Sequence, residues 1–308
     1  MTSFVALRAA RKERVFQEEI ALNNAEQPRV TSLLEGHTMA LIEREQSKNV
    51  YFEDYGQGTS AIVLIHAWGL SGRAWDSNTR AMAHAGFRVI TIDARGCGQS
   101  DKDFETMTLE AVADDVVAIV RSLGLTQVVL NGWSFGGPVA VIAAQKLASC
   151  CQGLILTAAA TPIYTQKVGL ELGATQETFD EMLVALSADR PAVLMNLAQG
   201  CLSEHTDQAL ISWLWGLFME SSPSAISLMA QLAEVDQREA LGQLTCPILS
   251  CVGVLDALVD PEICRSVGQF NANTTTIAFE LSGHSPPLEE PMKYNLEVVG
   301  FLEAALLD

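Results

Sequence analysis

The sequence predicts an α/β fold built on a mostly parallel β-sheet, with helices on both faces and a helical insertion. Short runs rich in valine, isoleucine and leucine alternate with segments of helical periodicity between residues 61 and 157. Strands that are apolar along their whole length are typical of a parallel sheet covered on both faces. The alternation stops near Ala160 and resumes at Pro247, and the segment between them is mostly helical in pattern.

The individual elements follow from local patterns, taken in chain order. Two strand-like segments around a polar turn predict a hairpin before the alternation begins. Apolar runs that follow turns predict strands, and segments with one apolar face predict helices. The predicted strands are 39–43, 49–53, 61–65, 88–92, 127–130, 153–157, 247–252 and 274–279. The predicted helices outside the insertion are 75–85, 109–123, 137–147, 262–270 and 291–306.

These elements divide the chain into three parts. Residues 1–37 are expected to form an N-terminal helical extension, which either packs on its own domain or makes a dimer contact. Residues 38–160 and 242–308 are expected to form the α/β core. Residues 161–241 are expected to form a helical cap over the carboxyl edge of the sheet, where open α/β sheets bind ligands.

Composition argues against several classes of function. The net charge is −18, and clusters of lysine and arginine are confined to the short N-terminal stretch, which argues against nucleic-acid and anionic-membrane partners. The sequence contains no apolar segment of about 18 residues that could span a membrane. The seven cysteines lie mostly in apolar runs without zinc-ligand spacing, as expected of reduced thiols. We therefore expect a cytoplasmic protein with a small-molecule substrate and no metal or other cofactor. Its oligomeric state is open, and a homo-oligomer is one alternative.

The segment 132–136, with the sequence GWSFG, gives the first chemical assignment. It stands between a predicted strand and a predicted helix, and a serine flanked by glycines at such a junction is the pattern of a nucleophile elbow. The tight turn strains the serine backbone, and only glycine-sized neighbours avoid a clash there. The turn also directs the N-terminus of the next helix at the reacting centre. Ser134 is therefore the predicted nucleophile.

A serine hydroxyl needs a base, and the base needs an acid that orients it. His284 is the predicted base, because it follows the last predicted strand in a loop at the sheet edge. The other histidines are expected to pack or to face solvent, and His66 is expected to brace its loop. Asp256 is the predicted acid because it directly follows the returning strand, where a side chain is held rigidly, and because it satisfies the chain order Ser, acid, His. Asp260, four residues later, is the competing candidate.

Acyl transfer also needs donors for the developing oxyanion. The backbone N–H groups of Phe135, after the nucleophile, and Trp68, in the loop after the strand at 61–65, are the predicted donors. Both side chains are also predicted to contact substrate, together with Trp213, Trp215 and Phe218. The last three belong to a helix that is apolar nearly all round and must be buried on more than one side. Its burial wholly within the protein is an equal alternative.

Four short motifs can be compared with known families. They are 66–75 (HAWGLSGRAW), 93–100 (DARGCGQS), 132–137 (GWSFGG) and 283–291 (GHSPPLEEP). Together they resemble the α/β-hydrolase superfamily, and in particular its cofactor-free haloperoxidase/aryl-esterase branch, over about residues 38–308. The resemblance implies the α/β-hydrolase fold, with a mostly parallel eight-stranded sheet and a helical cap. It also implies a triad of Ser134, Asp256 and His284 that needs no metal.

The chain departs from this pattern at two positions. Ala67 stands where the family usually has glycine, and Gly69 stands where the branch often has proline, which argues against perhydrolase or halogenating activity. The serine nucleophile argues against the epoxide hydrolase and haloalkane dehalogenase branches of the resembled superfamily, which use aspartate there.

The sequence therefore predicts a serine hydrolase that cleaves a neutral, fairly apolar carboxylic ester or lactone through an acyl-enzyme on Ser134. Two alternatives stay open. A hydrolase of carbon–carbon bonds, or a biosynthetic hydrolase of a diketone- or polyketide-like substrate, would share the same triad. A non-catalytic ligand receptor belongs to another class and would need none of these residues.

Overall fold

The computed structural model describes residues 36–203 and 207–306. The predicted N-terminal extension lies outside the described residues except for its last two positions, and His205 also lies outside them. Gly36 forms a turn, and the first strand begins at His37.

The described residues form one eight-stranded sheet in the order β1-β2-β4-β3-β5-β6-β7-β8. The strands are β1 (His37–Glu45), β2 (Lys48–Tyr55), β3 (Ser60–Ile65), β4 (Arg88–Ile92), β5 (Gln127–Trp133), β6 (Cys151–Thr157), β7 (Ile248–Gly253) and β8 (Thr274–Phe279). Strand β2 pairs antiparallel with β1 and with β4, and all other neighbours are parallel. The predicted fold class, with a mostly parallel sheet and a preceding hairpin, is confirmed.

Eleven α-helices accompany the sheet in the described part of the chain. They are α1 (Asp76–His84), α2 (Leu109–Ser122), α3 (Gly136–Leu147), α4 (Gln176–Ala188), α5 (Arg190–Gly200), α6 (Gln208–Met219), α7 (Ile226–Gln231), α8 (Arg238–Gln243), α9 (Pro261–Phe270), α10 (Pro286–Glu289) and α11 (Pro291–Leu306). Helices α4 to α8 lie between β6 and β7, where the described residues form only isolated bridges rather than strands. That these helices act as a cap stays a prediction.

The core forms where the central strands meet the helices. Val63 of β3 and Val129 of β5 are completely buried, because helices cover both faces of the sheet. Helix α2 turns one face inward, with Val112, Val116 and Ile119 at the three- and four-residue spacing of a helix. Each such side chain contributes about 1.5–3 kcal/mol when it is fully removed from water.

The parallel strands fix where function can be placed. Strands β3, β5, β7 and β8 run in the same direction, so their carboxyl ends meet at one edge of the sheet. The loops that follow these four strands hold the residues singled out by the sequence. No helix in the described part of the chain is both long enough and apolar enough to cross a membrane. All seven cysteines are free thiols, and five of them are buried.

Candidate active site

Ser134 lies on the turn between β5 and α3, with a backbone φ of +54°. Residues other than glycine rarely adopt this left-handed conformation, which costs about 1–3 kcal/mol. A side chain at Gly132 would place its Cβ 2.1 Å from the carbonyl oxygen of Gly136. A Cβ at Gly136 would lie 2.3 Å from the carbonyl oxygen of Ile65 on β3. The two glycines are therefore required by close backbone approach, as predicted for a nucleophile elbow.

Backbone hydrogen bonds hold the strained serine in place. The Ser134 N–H donates to the Thr157 carbonyl at 2.9 Å. The Ser134 carbonyl accepts from the N–H groups of Gly137 at 2.8 Å and Ala160 at 3.1 Å. These three bonds tie the turn to β6 and to the first turn of α3, so the hydroxyl stands on a rigid support.

Asp256 and His284 form a buried pair. His284 Nδ1 lies 2.7 Å from Asp256 Oδ2, and the side chains are 3% and 2% exposed, respectively. The other carboxylate oxygen, Oδ1, accepts from the N–H groups of Leu258 at 2.8 Å and Val259 at 2.9 Å. The carboxylate is therefore fixed by three hydrogen bonds, and it can orient the imidazole. The competing candidate, Asp260, accepts from the Glu262 N–H at 2.9 Å and caps the start of α9.

The loops that carry this pair contact each other directly. A Cβ at Gly253, the last residue of β7, would lie only 1.8 Å from the Gly283 carbonyl oxygen. Two residues later, the Leu255 N–H donates to the Ser282 carbonyl at 2.9 Å. This contact brings the residues after β7 beside the residues after β8, although 28 residues separate Asp256 from His284 along the chain.

A further bond joins the serine turn to the histidine loop. The indole Nε1–H of Trp133 donates to the His284 carbonyl at 2.7 Å, and Trp133 is completely buried. The residue before Ser134 thereby positions the backbone of His284. This role of Trp133 was not predicted, because a tryptophan in an apolar region is ordinarily a packing residue.

The loop after β3 presents the other predicted oxyanion donor. The backbone N–H groups of Trp68 and Phe135 donate to no acceptor among the described residues. Phe135 N–H also lies at the N-terminus of α3, where the helix dipole favours negative charge. Both groups are available to an external anionic oxygen.

His66 braces this loop, as its sequence position indicated. Its Nε2 lies 2.9 Å from the Ala94 N–H and must accept that proton, so its Nδ1–H donates to the Ala67 carbonyl at 2.7 Å. Complete burial lowers the pKa of His66 to about 4, which keeps the ring neutral at ordinary pH. The methyl group of Ala67, where the family usually has glycine, is accommodated because its φ is not positive.

Gly69 has a φ of +73°, which the ring of proline forbids. A Cβ there would also lie 2.9 Å from Cδ1 of Phe218 in α6. The departure from the proline of the resembled branch therefore corresponds to a different backbone conformation, with the Phe218 ring placed against it.

Ser134 and His284 line the same small cavity, which has a volume of about 40 Å³. Two further residues predicted to bind substrate, Trp68 and Phe218, also line it. The remaining lining residues are Ala67, Tyr164, Leu197, Cys201, Met229, Leu232 and Leu258. These seven were not predicted to line it. Those in the helical segments of the insertion look like core residues, and Ala67, Tyr164 and Leu258 lie in loops, where periodicity carries no signal. In the described residues, no group of three or more His, Cys, Asp or Glu side chains could hold a metal ion.

A comparison with known families identifies the same fold that the structure shows. The family described as the alpha/beta hydrolase fold matches residues 60–291, which is most of the chain. The chain belongs to the α/β-hydrolase family.

This hydrolase is similar to individual esterases and to a bromoperoxidase. This chain is 29% identical over 265 residues to a pimeloyl-(acyl-carrier protein) methyl ester esterase of Aliivibrio salmonicida. The match covers 83% of this chain and 96% of the relative. An esterase structure from Exiguobacterium antarcticum matches with a TM-score of 0.83 and 26% identity over 86% of this chain and all of that one. A bromoperoxidase structure from Bacillus anthracis matches with a TM-score of 0.81 and 25% identity over the same shares. The resemblance to the haloperoxidase/aryl-esterase branch is confirmed.

Three other residues predicted to contact substrate are not among those that line this cavity, and their contact with substrate stays a prediction. The Phe135 side chain is buried in the core, and neither Trp213 nor Trp215 lines the cavity. Successive residues of a helix point about 100° apart, so Trp213, five residues before Phe218, faces nearly the opposite side of α6. The Trp215 indole N–H donates instead to the Pro191 carbonyl at 3.1 Å, in the neighbouring helix α5.

Proposed function

We propose that this α/β hydrolase cleaves a small, neutral, fairly apolar carboxylic ester or lactone through an acyl-enzyme on Ser134. One observation supports this proposal above the others. A serine on a strained elbow and a histidine hydrogen-bonded to a buried aspartate line one cavity, beside two backbone N–H groups without acceptors among the described residues. This set of groups matches the requirements of acyl transfer.

The geometry supports the following sequence of steps. The Asp256 carboxylate holds His284 Nδ1–H, which leaves Nε2 to accept the Ser134 proton. The serine oxygen attacks the carbonyl carbon, and the N–H groups of Trp68 and Phe135 stabilise the negative oxygen that forms. His284 then donates the proton to the leaving alcohol. Water, deprotonated by the same histidine, releases the acid and restores the serine.

The lining and the volume of the cavity support the proposal that the substrate is small and uncharged. Most of its lining is hydrocarbon, and no lysine or arginine lies among the lining residues that the structure describes. A volume of about 40 Å³ holds only a few water-sized groups, which favours short acyl chains. The net charge of −18 also disfavours anionic substrates. The esterase names of two relatives agree with ester cleavage.

The proposal is tested with Ser134→Ala and short p-nitrophenyl esters. We expect the variant to lose at least about 10³-fold in kcat with the fold unchanged, because nucleophile loss removes most of the catalysis above binding and the oxyanion site. Ser187→Ala, at an exposed serine of α4, is the matched control and should keep the parent rate. Parent-level turnover by Ser134→Ala would refute the acyl-enzyme mechanism.

Covalent labelling separates the alternatives. A fluorophosphonate should label the parent protein on Ser134 and leave Ser134→Ala unlabelled. Labelling without turnover of any ester or lactone would favour a hydrolase of carbon–carbon bonds in a diketone-like substrate. A folded parent protein that takes no label would favour a ligand receptor.

A further inference from the structure

We infer that the hydroxyl of Tyr164 binds a second oxygen of the substrate, one that lies outside the reacting carboxyl group. The inference deepens the proposed function and rests on it. It narrows the substrate class to small esters or lactones that carry an additional hydrogen-bond acceptor, such as an ether, hydroxyl or keto oxygen.

The inference starts from the polar groups that line the cavity. The Trp68 indole N–H already donates to the Ala225 carbonyl at 2.7 Å, and His284 Nδ1 is engaged by Asp256. The thiol of Cys201 is a weak donor, and burial raises its pKa so that it stays protonated. Apart from the reacting Ser134 and His284, the Tyr164 hydroxyl is therefore the strongest free side-chain donor among the lining residues that the structure describes. The backbone N–H of Trp68 is assigned to the oxyanion.

Tyr164 has no hydrogen-bond partner for its hydroxyl among the described residues, yet its ring is well fixed. The ring packs edge-on against Phe179, with 5.6 Å between the ring centroids. The neighbouring Thr165 hydroxyl donates to the Ala233 carbonyl at 3.0 Å. On the other side, the Pro162 carbonyl accepts from the Gln237 N–H at 2.8 Å. The hydroxyl is thus preorganised by packing and backbone contacts without itself being used.

The hydroxyl remains a donor throughout the physiological pH range. Burial, and then the nearby Asp256 carboxylate, raise the pKa of Tyr164 to about 12. A substrate oxygen that accepts from this group gains a hydrogen bond inside the cavity. An alkyl group in the same place leaves the hydroxyl unpaired, and such sites discriminate strongly against analogues that lack the matching polar atom.

The test compares ester pairs that differ by one atom. Methyl methoxyacetate is matched with methyl butanoate, and methyl 3-methoxypropanoate with methyl pentanoate, so that the oxygen occupies two positions. The measured quantity is the ratio of kcat/KM within each pair, in the parent protein and in Tyr164→Phe. Because the electronic activation by the ether oxygen is the same for both proteins, it cancels when their ratios are compared.

We expect Tyr164→Phe to lower the methoxy-to-alkyl ratio by about 5- to 100-fold in at least one pair, as the loss of one buried hydrogen bond predicts. The kcat/KM of the alkyl esters should not fall and is expected to rise, because phenylalanine keeps the packing on Phe179 and removes the hydroxyl that these esters leave unpaired. Unchanged ratios in both pairs would overturn the inference. An equal fall of both members in each pair would also overturn it, since it would make the tyrosine structural.

Two further measurements complete the design. Cys201→Ala removes the thiol, the other side-chain donor of the lining, and should change kcat/KM of both members of a pair alike. A methoxy-to-alkyl ratio that changes only in this variant would overturn the role of Tyr164.

Dissociation constants of the four esters for Ser134→Ala and for Ser134→Ala/Tyr164→Phe test binding without turnover. We expect weaker binding of a methoxy ester alone in the double variant. If the parent protein turns over none of the esters, the proposed function fails, while this binding comparison still decides the inference.

Discussion

At the scale of single residues, His66 is a buried titratable group that holds a loop in place and is assigned no part in the proposed reaction. Both ring nitrogens are used by the backbone, one by the Ala94 N–H and the other by the Ala67 carbonyl. Only the neutral ring can satisfy both bonds, because protonation would turn the accepting nitrogen into a second donor. The residue thereby fixes the loop that presents the Trp68 N–H.

This arrangement predicts that the protein loses stability in acid. The pKa of His66 is about 4 in the folded state against about 6.5 for an unperturbed histidine, so the unfolded chain binds a proton first as the pH falls. The free energy of unfolding should therefore drop by about 2–3 kcal/mol between pH 7.5 and pH 4.5 from this group alone. Urea unfolding at a series of pH values measures the effect.

The control for this prediction is His66→Asn, which removes the titration and leaves the other groups in place. The difference in the free energy of unfolding between parent and variant should shrink as the pH falls. Protonation of carboxylates elsewhere affects both proteins equally and therefore cancels in this difference. Parallel stability curves for the two proteins between pH 7.5 and pH 4.5 would show that His66 is not buried and neutral as described.

At the scale of elements, the junction of β5 and α3 depends on backbones that approach too closely for any side chain. Gly136→Ala would place a methyl group 2.3 Å from the Ile65 carbonyl oxygen, and strand β3 cannot move away because it pairs on both sides. We expect a loss of about 3 kcal/mol or more, at the upper end of the cost of overpacking. Chemical denaturation measures this loss.

A matched glycine in a helix provides the control. Gly300 of α11 has open space around the position of a Cβ, so Gly300→Ala should stabilise the protein by about 0.5–1 kcal/mol through helix propensity. Opposite signs for the two substitutions are expected. A destabilisation of Gly136→Ala below about 1 kcal/mol would mean that the turn is less crowded than described.

The strands and helices of the sheet domain could be predicted because buried parallel strands are apolar throughout and turns punctuate them. The strand ends were less predictable. Strand β5 was predicted to end at Leu130 and continues through Trp133, since Asn131 and Gly132 interrupt the apolar run yet still pair with β3. The Asn131 side chain can be buried in this strand because its Nδ2 donates to the Tyr294 hydroxyl at 2.8 Å.

The placement of the site was predictable to a similar degree. The rule that carboxyl ends of parallel strands share one edge predicted where Ser134, Asp256 and His284 would gather. It could not predict which residues of the insertion face the cavity. Phe218 and Trp215 are both apolar aromatics of α6, and only helix packing decides that the first lines the cavity. Tyr164 lies in a segment without helix or strand, where periodicity carries no signal.

At the scale of the whole molecule, the loop after β3 is joined to the helical insertion. The Trp68 indole N–H donates to the Ala225 carbonyl, at the start of α7, and the Trp68 and Phe218 rings lie 6.3 Å apart. The same residue offers its backbone N–H to the proposed oxyanion. Any shift of the insertion relative to the sheet therefore acts on a group that the proposed reaction needs.

This connection predicts that Trp68→Phe weakens both the insertion and catalysis. The variant keeps an aromatic ring but loses its hydrogen bond to the Ala225 carbonyl, which is worth about 0.5–1.5 kcal/mol. Amide exchange across α7 should accelerate several-fold, and kcat/KM for a short ester should fall by about 2- to 20-fold.

Trp215→Phe is the matched control, because its indole bond to Pro191 joins two helices of the insertion without reaching the loop after β3. It should accelerate exchange near α5 and α6 while kcat/KM changes by less than about two-fold. Equal losses of kcat/KM in the two variants would mean that the insertion and the oxyanion loop are coupled through general stability rather than through Trp68.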